Sequence, residues 1–230
     1  MNKINIFRDR FFLAHLVVLN FILLMFAGVS DAALNTAIEG NTIAATESRD
    51  AGIQFDIGLS YARIGKYSEA VEAYKEAVRL KPDFAEAYFN LGINYSNLEL
   101  YREAVDAYKE AIKLKPDFVE AYINLGWNYG TLGMHKNAVS AYEKVLQLSP
   151  DNVEIYYDLG FNYARLMRFE EAVEAYEKFI NFRPDNAEAY YNLGIAYIAL
   201  HDNGSANEIY EKLKLLDGHA AQELWDLIKK

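Results

Sequence analysis

Side chains that could carry chemistry are few and widely separated along the chain. The histidines are His15, His135, His201 and His219, and none lies in a His-Glu-x-x-His zinc motif. The sequence also has no phosphate-binding glycine loop, Gly-x-Ser-x-Gly elbow or dinucleotide fingerprint. The last three histidines fall at predicted turns or ends, where solvated side chains are expected. These residues therefore predict no metal site and no nucleophile.

A row of glutamates is the remaining candidate for acid–base chemistry, because paired carboxylates can transfer protons to and from a substrate. The row recurs every 34 residues and comprises Glu86, Glu120, Glu154 and Glu188. An aspartate three residues earlier, such as Asp117 before Glu120, completes a pattern typical of helix N-termini. Because a fixed period is a structural signature, we interpret the row as helix caps. The sequence predicts a protein that is not an enzyme and needs no cofactor.

The composition limits the class of protein further. The chain has 230 residues, of which 52% are hydrophobic and 14% aromatic, so it can bury a core and is not intrinsically disordered. It has no cysteine, which excludes disulfide frameworks and thiolate metal sites. Its net charge of -10 disfavours nucleic acid as a partner, since phosphate contacts need clustered lysine and arginine.

Residues 1–32 have the pattern of a targeting segment. Basic residues near the start precede an uncharged stretch over 11–30, and Ser30 and Ala32 fit the small-residue rule for signal peptidase. Cleavage after Ala32 would give a periplasmic or secreted protein, whereas an uncleaved stretch could span the inner membrane as a tether. Both alternatives predict an exported chain, with everything after Ala33 outside the cytoplasm.

The rest of the chain repeats with a period of 34 residues. Prolines, glycines and tyrosines share this register, at Pro82, Pro116, Pro150 and Pro184, at Gly58, Gly92, Gly126, Gly160 and Gly194, and at Tyr74, Tyr108, Tyr142, Tyr176 and Tyr210. Within residues 85–118, apolar residues at three- and four-residue spacing predict two helices, and the proline ends the second one. Small Gly92 and Ala104 should let these helices approach each other, with Tyr108 filling the space beside them.

This pattern resembles the tetratricopeptide repeat (TPR), a helix–turn–helix unit. The resemblance implies an all-α, right-handed superhelical solenoid with units at 51–84, 85–118, 119–152, 153–186 and 187–220. Each repeat buries its neighbours, so a helix over 221–230, with an apolar stripe that includes Leu224 and Trp225, should cap the last unit. Residues 33–50 are expected to form a linker or a weak helix. Repeat one lacks the capping pair, and its first helix is expected to fray.

The resemblance also implies a binding site on the concave face, which the first helix of each repeat forms. The fifth and ninth positions of those helices are apolar here, and the sixth carries asparagine or aspartate. In the family, asparagine at the sixth position can hydrogen-bond the backbone of a ligand, whereas Asp56 and Asp158 are expected only to accept. The fifth- and ninth-position residues could instead pack between adjacent helices. The groove residues predicted on this basis are Phe89, Asn90, Ile93, Ile123, Asn124, Trp127, Tyr157, Phe161, Tyr191 and Asn192.

The function implied is a non-enzymatic scaffold that binds a protein or peptide partner in the extracytoplasmic space. One subclass of the family clamps a C-terminal carboxylate with lysine and arginine, and those residues are missing from this chain. An apolar groove with acidic edges instead suits a segment with large apolar side chains and some basic charge. The alternative is a structural role, as a self-associating or membrane-tethered spacer in an envelope assembly.

Overall fold

The computed structural model describes residues 31–229, and the regular elements in that range are all α-helices. In chain order they are α1 (Asp31–Arg63), α2 (Tyr67–Leu80), α3 (Ala85–Asn97), α4 (Tyr101–Leu114), α5 (Val119–Thr131), α6 (His135–Leu148), α7 (Glu154–Arg165), α8 (Phe169–Phe182), α9 (Ala187–Ala199), α10 (Asn203–Leu216) and α11 (Gly218–Ile228). Consecutive helices pack in five pairs, each pair packs on the next, and the first helices of pairs two to five also contact one another in succession. The predicted all-α solenoid of five helix–turn–helix units is confirmed.

The core of the first four repeats contains a tyrosine ring placed over a glycine. In repeat two, a Cβ added to Gly92 would lie 2.6 Å from Cε1 of Tyr108, whose side chain is fully buried. Repeat three has the same contact, at 2.7 Å, between Gly126 and Tyr142. Any side chain at these glycines would collide with a ring that has no room to move. The predicted role of the glycines, to let two helices approach, is confirmed.

The fifth repeat is closed by the capping helix α11. Here Gly194 faces Leu224 of α11, whose Cδ2 would lie 2.6 Å from an added Cβ. Leu224 is fully buried and packs with Leu213 of α10. Tyr210, which the register predicts over this glycine, instead stacks on Trp225 with ring centroids 4.8 Å apart. The difference arises because α11 supplies an apolar side chain that replaces the tyrosine.

The N-terminal helix is longer than the sequence predicts. α1 continues without a break from Asp31 to Arg63, so of the two alternatives for residues 33–50, a linker or a weak helix, the structure has the helix. The fraying expected at the start of repeat one is wrong, because the preceding turns of α1 supply the hydrogen bonds that a cap would otherwise provide. Side chains over 39–50 are exposed, and Ala51, which follows them, is fully buried.

The predicted targeting segment, residues 1–32, lies outside the described residues except for its last two positions. The uncharged stretch over 11–30 lies wholly outside them. Within residues 31–229, no helix combines the length and the apolar character needed to cross a bilayer.

The first helices of repeats two to four do not begin at the predicted aspartate caps. Their N-cap residues are Phe84, Phe118 and Val153, which make no side-chain capping bond. In repeat three, the Phe118 ring packs on Phe89 at 4.6 Å between centroids, so an apolar contact occupies the cap position. In repeat five, Asn186 accepts a hydrogen bond from the backbone amide of Ala189 at 2.8 Å. The aspartates lie too early in each turn to cap the helix, by one residue in repeats two and three and by two residues in repeat four.

Candidate binding groove

A cleft of about 380 Å³ lies between α3, α5 and α7. Three of the predicted groove residues, Ile93, Ile123 and Trp127, form its apolar side. The Trp127 side chain is 50% exposed, and Tyr101 meets its ring edge-on with 5.8 Å between centroids. Aromatic pairs prefer this geometry, so the contact helps to fix the orientation of the indole ring. The cleft thus presents a large, oriented aromatic surface to solvent.

The deeper part of the cleft is polar. It contains the buried rings of Tyr108 and Tyr142 together with Ser96, whose Oγ lies 3.4 Å from the Tyr108 hydroxyl. Burial raises the pKa of Tyr108 to about 12 and raises that of Tyr142 as well. Both hydroxyls therefore stay protonated at neutral pH and can donate or accept hydrogen bonds. Of these three residues the sequence singled out only the two tyrosines, and only as packing groups.

Asp158 of α7 is the charged residue among those lining the cleft. Its side chain is partly buried, and this burial, with a smaller contribution from Glu154, raises its pKa to about 6. A carboxyl with such a pKa is ionised at pH 7 but carries a proton, and can donate it, below pH 6. Asp158 therefore only accepts hydrogen bonds above about pH 6, as the sequence predicts, but it can also donate one below that pH.

Two of the fifth-position residues, Phe89 and Tyr191, are half-buried and pack between helices. Phe89 lies against Phe118 and is 5.9 Å from the ring of Tyr108. Tyr191 belongs to the apolar cluster that α11 closes. The alternative that the sequence left open, partial inclusion in the core, describes these two positions. Among ninth-position residues, Phe161 is 45% exposed but does not line the cleft.

The predicted row of asparagines makes contacts within the protein. Asn90 and Asn124 each donate from Nδ2 to the backbone carbonyl four residues earlier, at 2.8 Å. Asn192 donates to the hydroxyl of Tyr157 at 3.1 Å, and that hydroxyl donates to Glu188 at 2.6 Å. Each amide keeps a second N–H that a ligand could use. Of the three asparagines, Asn124 lines the cleft.

A second row of asparagines, which the sequence analysis missed, connects consecutive repeats. Asn94, Asn128 and Asn162 are buried, and each donates to the carbonyl four residues earlier. Between repeats two and three, Ser96 donates from Oγ to Oδ1 of Asn128 at 2.9 Å. We call Ser96, Asn128 and Tyr108 the central joint. The 34-residue spacing of the three asparagines is the signal that could have revealed it.

The equivalent contact between repeats one and two is incomplete, and we call it the first joint. Ala62 stands 34 residues before Ser96, where a hydroxyl is needed. The Tyr74 hydroxyl and Oδ1 of Asn94 are both buried and find no hydrogen-bond partner among the described residues. One missing hydroxyl group accounts for both unpaired atoms, because Ser96 Oγ contacts the equivalent pair in the central joint.

His135 takes the place of the serine between repeats three and four. Its Nδ1 lies 3.0 Å from Oδ1 of Asn162, at the joint where Gly130 occupies the serine position. The prediction that His135 is a solvated turn residue is therefore wrong, since its ring forms part of a repeat joint. No cluster of histidines and carboxylates within residues 31–229 is arranged to hold a metal ion.

Family models extend over most of the helical array. A model described as TPR repeat matches residues 50–98 and 168–200, and models of the tetratricopeptide repeat match 85–118, 119–152 and 187–219. The chain belongs to the tetratricopeptide-repeat family. As a TPR protein it is a protein-interaction scaffold, from a family whose members are typically not enzymes.

Solved structures of TPR proteins share this architecture. A crystal structure of MamA is 27% identical, covers 75% of this chain and 94% of its own, and has a TM-score of 0.70. MamA from Desulfovibrio magneticus RS-1, from position 41 to its end, is 26% identical. The match covers 74% of this chain and 96% of that MamA chain, with a TM-score of 0.68. YrrB, described as a TPR protein with an unusual peptide-binding site, is 23% identical and covers 84% and 97%, with a TM-score of 0.72, which shows the fold alone. Comparison with curated proteins gives no significant match.

Proposed function

We propose that this TPR protein binds a peptide segment of a protein partner across α3, α5 and α7, with Trp127 as the main anchor. The half-exposed indole ring at the edge of the cleft carries this proposal. A large rigid ring buries much apolar area at a small entropic cost, which is why tryptophan is frequent among interface anchors. Ile93 and Ile123 extend the apolar surface, and Asn124 offers an amide to the peptide backbone.

Selection from a phage-displayed library of random peptides tests the groove without knowledge of the natural partner. Peptides selected on the protein should lose about 2 kcal/mol of binding free energy, or more, in Trp127→Ala. Ile57→Ala is the matched control, because Ile57 is also an exposed apolar residue (38%) in a cleft, but on α1. Peptides that bind Trp127→Ala as tightly as the unmodified protein would contradict the proposal, provided both variants keep their helix content.

The proposal includes a location outside the cytoplasm, which is supported by the sequence of residues 1–32. Mass spectrometry of the protein from cells should find Ala33 at the N-terminus if signal peptidase acts after Ala32. A chain that retains Met1 and sediments with membranes would instead support the tether. A chain that retains Met1 in the soluble cytoplasmic fraction would contradict export.

Self-association is the second candidate function, and an exposed face of α1 favours it. Ile53, Ile57 and Ile64 are exposed at the start of the array and line a second cleft of about 370 Å³. The other end of the array is closed by α11, so the two ends are not equivalent. Light scattering separates the candidates, because an adaptor should remain monomeric whereas a self-associating spacer should form oligomers that Ile57→Glu dissociates.

A further inference from the structure

The cleft beside Trp127 combines an apolar wall with a desolvated carboxylate. Asp158 contributes the carboxylate, and no basic side chain among the described residues contributes to its pKa. The carboxylate of its neighbour Glu154 is already engaged by the guanidinium of Arg183. Removing an ionised carboxylate from water without a cation partner costs free energy, and an incoming cation would offset that cost.

The groups that surround Asp158 are acidic or neutral. Glu154 and Tyr157 share its helix, Tyr142 faces it from α6, and Tyr176 faces it from α8. From α9, Glu188 reaches Tyr157. The α5 side of the cleft presents the neutral side chains Ile123, Asn124 and Trp127. Among these charged groups, Glu188 is acidic like Asp158 and Glu154 is paired with Arg183, so the local charge stays negative and favours a positively charged ligand.

We propose that this cleft is a pocket for the side chain of a lysine or arginine in the bound segment. The alkyl stem lies along Ile93, Ile123 and Trp127, and the cationic head meets the carboxylate of Asp158. This proposal rests on the proposed function, because the lysine or arginine belongs to the peptide that the groove binds.

The pocket should bind cations in a pH-dependent way. Below pH 6, Asp158 is protonated and neutral, so it attracts a cation weakly. Above pH 6 it is ionised, and the affinity should rise about tenfold between pH 5 and pH 7, in step with the ionised fraction of a group with a pKa near 6. Because His135 reaches Asn162, one helical turn beyond Asp158, the same titration in His135→Gln shows which group is responsible.

The test uses n-pentylammonium, a mimic of the lysine side chain, and 1-pentanol, its neutral counterpart. Each probe is titrated into the full protein purified from cells, and NMR follows the signal of the Trp127 indole N–H. This signal is assigned by its loss in Trp127→Phe. At pH 7 the ammonium should bind at least about tenfold more tightly than the alcohol. Asp158→Asn should abolish this preference while the alcohol still binds, which also shows that the variant is folded. His135→Gln should keep both the preference and its pH dependence.

Three results would overturn the pocket: equal binding of the two probes, a preference that persists in Asp158→Asn, or an affinity that is constant between pH 5 and pH 7. The pH titration of the unmodified protein tests the claim even if Asp158→Asn does not fold. The peptide selection on Trp127 is independent of this outcome. Peptides that depend on Trp127, together with probes that bind equally, would overturn the cation pocket and leave the peptide groove intact.

Discussion

The first joint and the central joint share one packing contact and differ in one hydroxyl group. In both, a tyrosine ring covers a glycine: Tyr74 covers Gly58 in repeat one, and Tyr108 covers Gly92 in repeat two. A Cβ added to either glycine would lie 2.6 Å from Cε1 of the ring. In the central joint, Ser96 hydrogen-bonds the next repeat, whereas Ala62 in the first joint leaves two buried polar atoms without a partner. The apolar contact is thus common to both joints, and the polar contact is not.

This difference shows that the glycine–tyrosine contact forms the solenoid, whereas the serine hydrogen bond stabilises one part of it. Close approach of two helices needs the glycine in each of the first four repeats, since no side chain fits under the tyrosine ring. A buried polar atom without a partner costs only about 1–3 kcal/mol, which the array can tolerate at one junction. The complete joint is also the one beside the cleft, because Ser96 and Tyr108 both line it. The hydrogen bond therefore stabilises the helix that carries Trp127.

Substitution of the glycines should have the largest effect on stability, and it should be similar in the two regions. Gly92→Ala places a Cβ at 2.6 Å from the buried ring of Tyr108, and Gly58→Ala places one at 2.6 Å from the ring of Tyr74. Each should lower the free energy of unfolding in urea by about 1–3 kcal/mol, as overpacked cores do.

The matched control for these substitutions is Gly52→Ala, because nothing lies within 4 Å of its added Cβ. Helix propensity alone should then raise stability by about 0.5–1 kcal/mol. A loss at Gly52 as large as that at Gly92 would show that the helices do not pack in the register described.

Removal of the serine hydroxyl should convert the central joint into a copy of the first. Ser96→Ala leaves Oδ1 of Asn128 buried without its donor at 2.9 Å. We expect a loss of about 1–2 kcal/mol in a urea melt, since the carbonyl keeps its desolvation cost and loses its partner. Ser60→Ala is the control, because the Ser60 hydroxyl is exposed and bonds only the carbonyl of Asp56 on its own helix. Equal effects of the two substitutions would contradict the role of the joint.

The reverse substitution should produce the smallest change, and a favourable one. Ala62→Ser places a hydroxyl between the Tyr74 hydroxyl and Oδ1 of Asn94, the two atoms that lack partners. We expect a gain of about 0.5–1 kcal/mol in the free energy of unfolding. Ala45→Ser, on an exposed turn of α1, should instead lose a few tenths of a kcal/mol through lower helix propensity. A loss at Ala62 equal to that at Ala45 would show that the first joint is satisfied in some other way.

The repeat register could be predicted from the sequence because it depends on side-chain shape. Glycine under tyrosine and proline after the second helix are residue types that few others can replace, so their period is visible in one chain. In repeat three the aspartate cap was predicted one residue too early, because Phe118 packs on Phe89 and takes the cap position. For residues 33–50 the sequence left both a linker and a weak helix open, since they have no apolar stripe that would predict a buried helix.

The groove was predicted less completely than the fold. Trp127 could be chosen from its place in the register, but the cleft beside it also depends on residues from three repeats, such as Ser96, Tyr142 and Asp158. Which side chains meet across repeat boundaries is set by the rotation of one pair of helices against the next. No local pattern encodes that rotation, and the raised pKa of Asp158 follows from it.

The central claim is that Trp127 faces a groove that a peptide fills, and its fluorescence tests this directly. Trp225→Phe removes the other indole while keeping an aromatic ring against Tyr210, so Trp127 becomes the sole reporter. Its emission should be red-shifted and quenched by acrylamide, because half of the side chain is exposed, and should move to shorter wavelength when a selected peptide binds. A blue emission that acrylamide does not quench, unchanged by the peptide, would contradict the account.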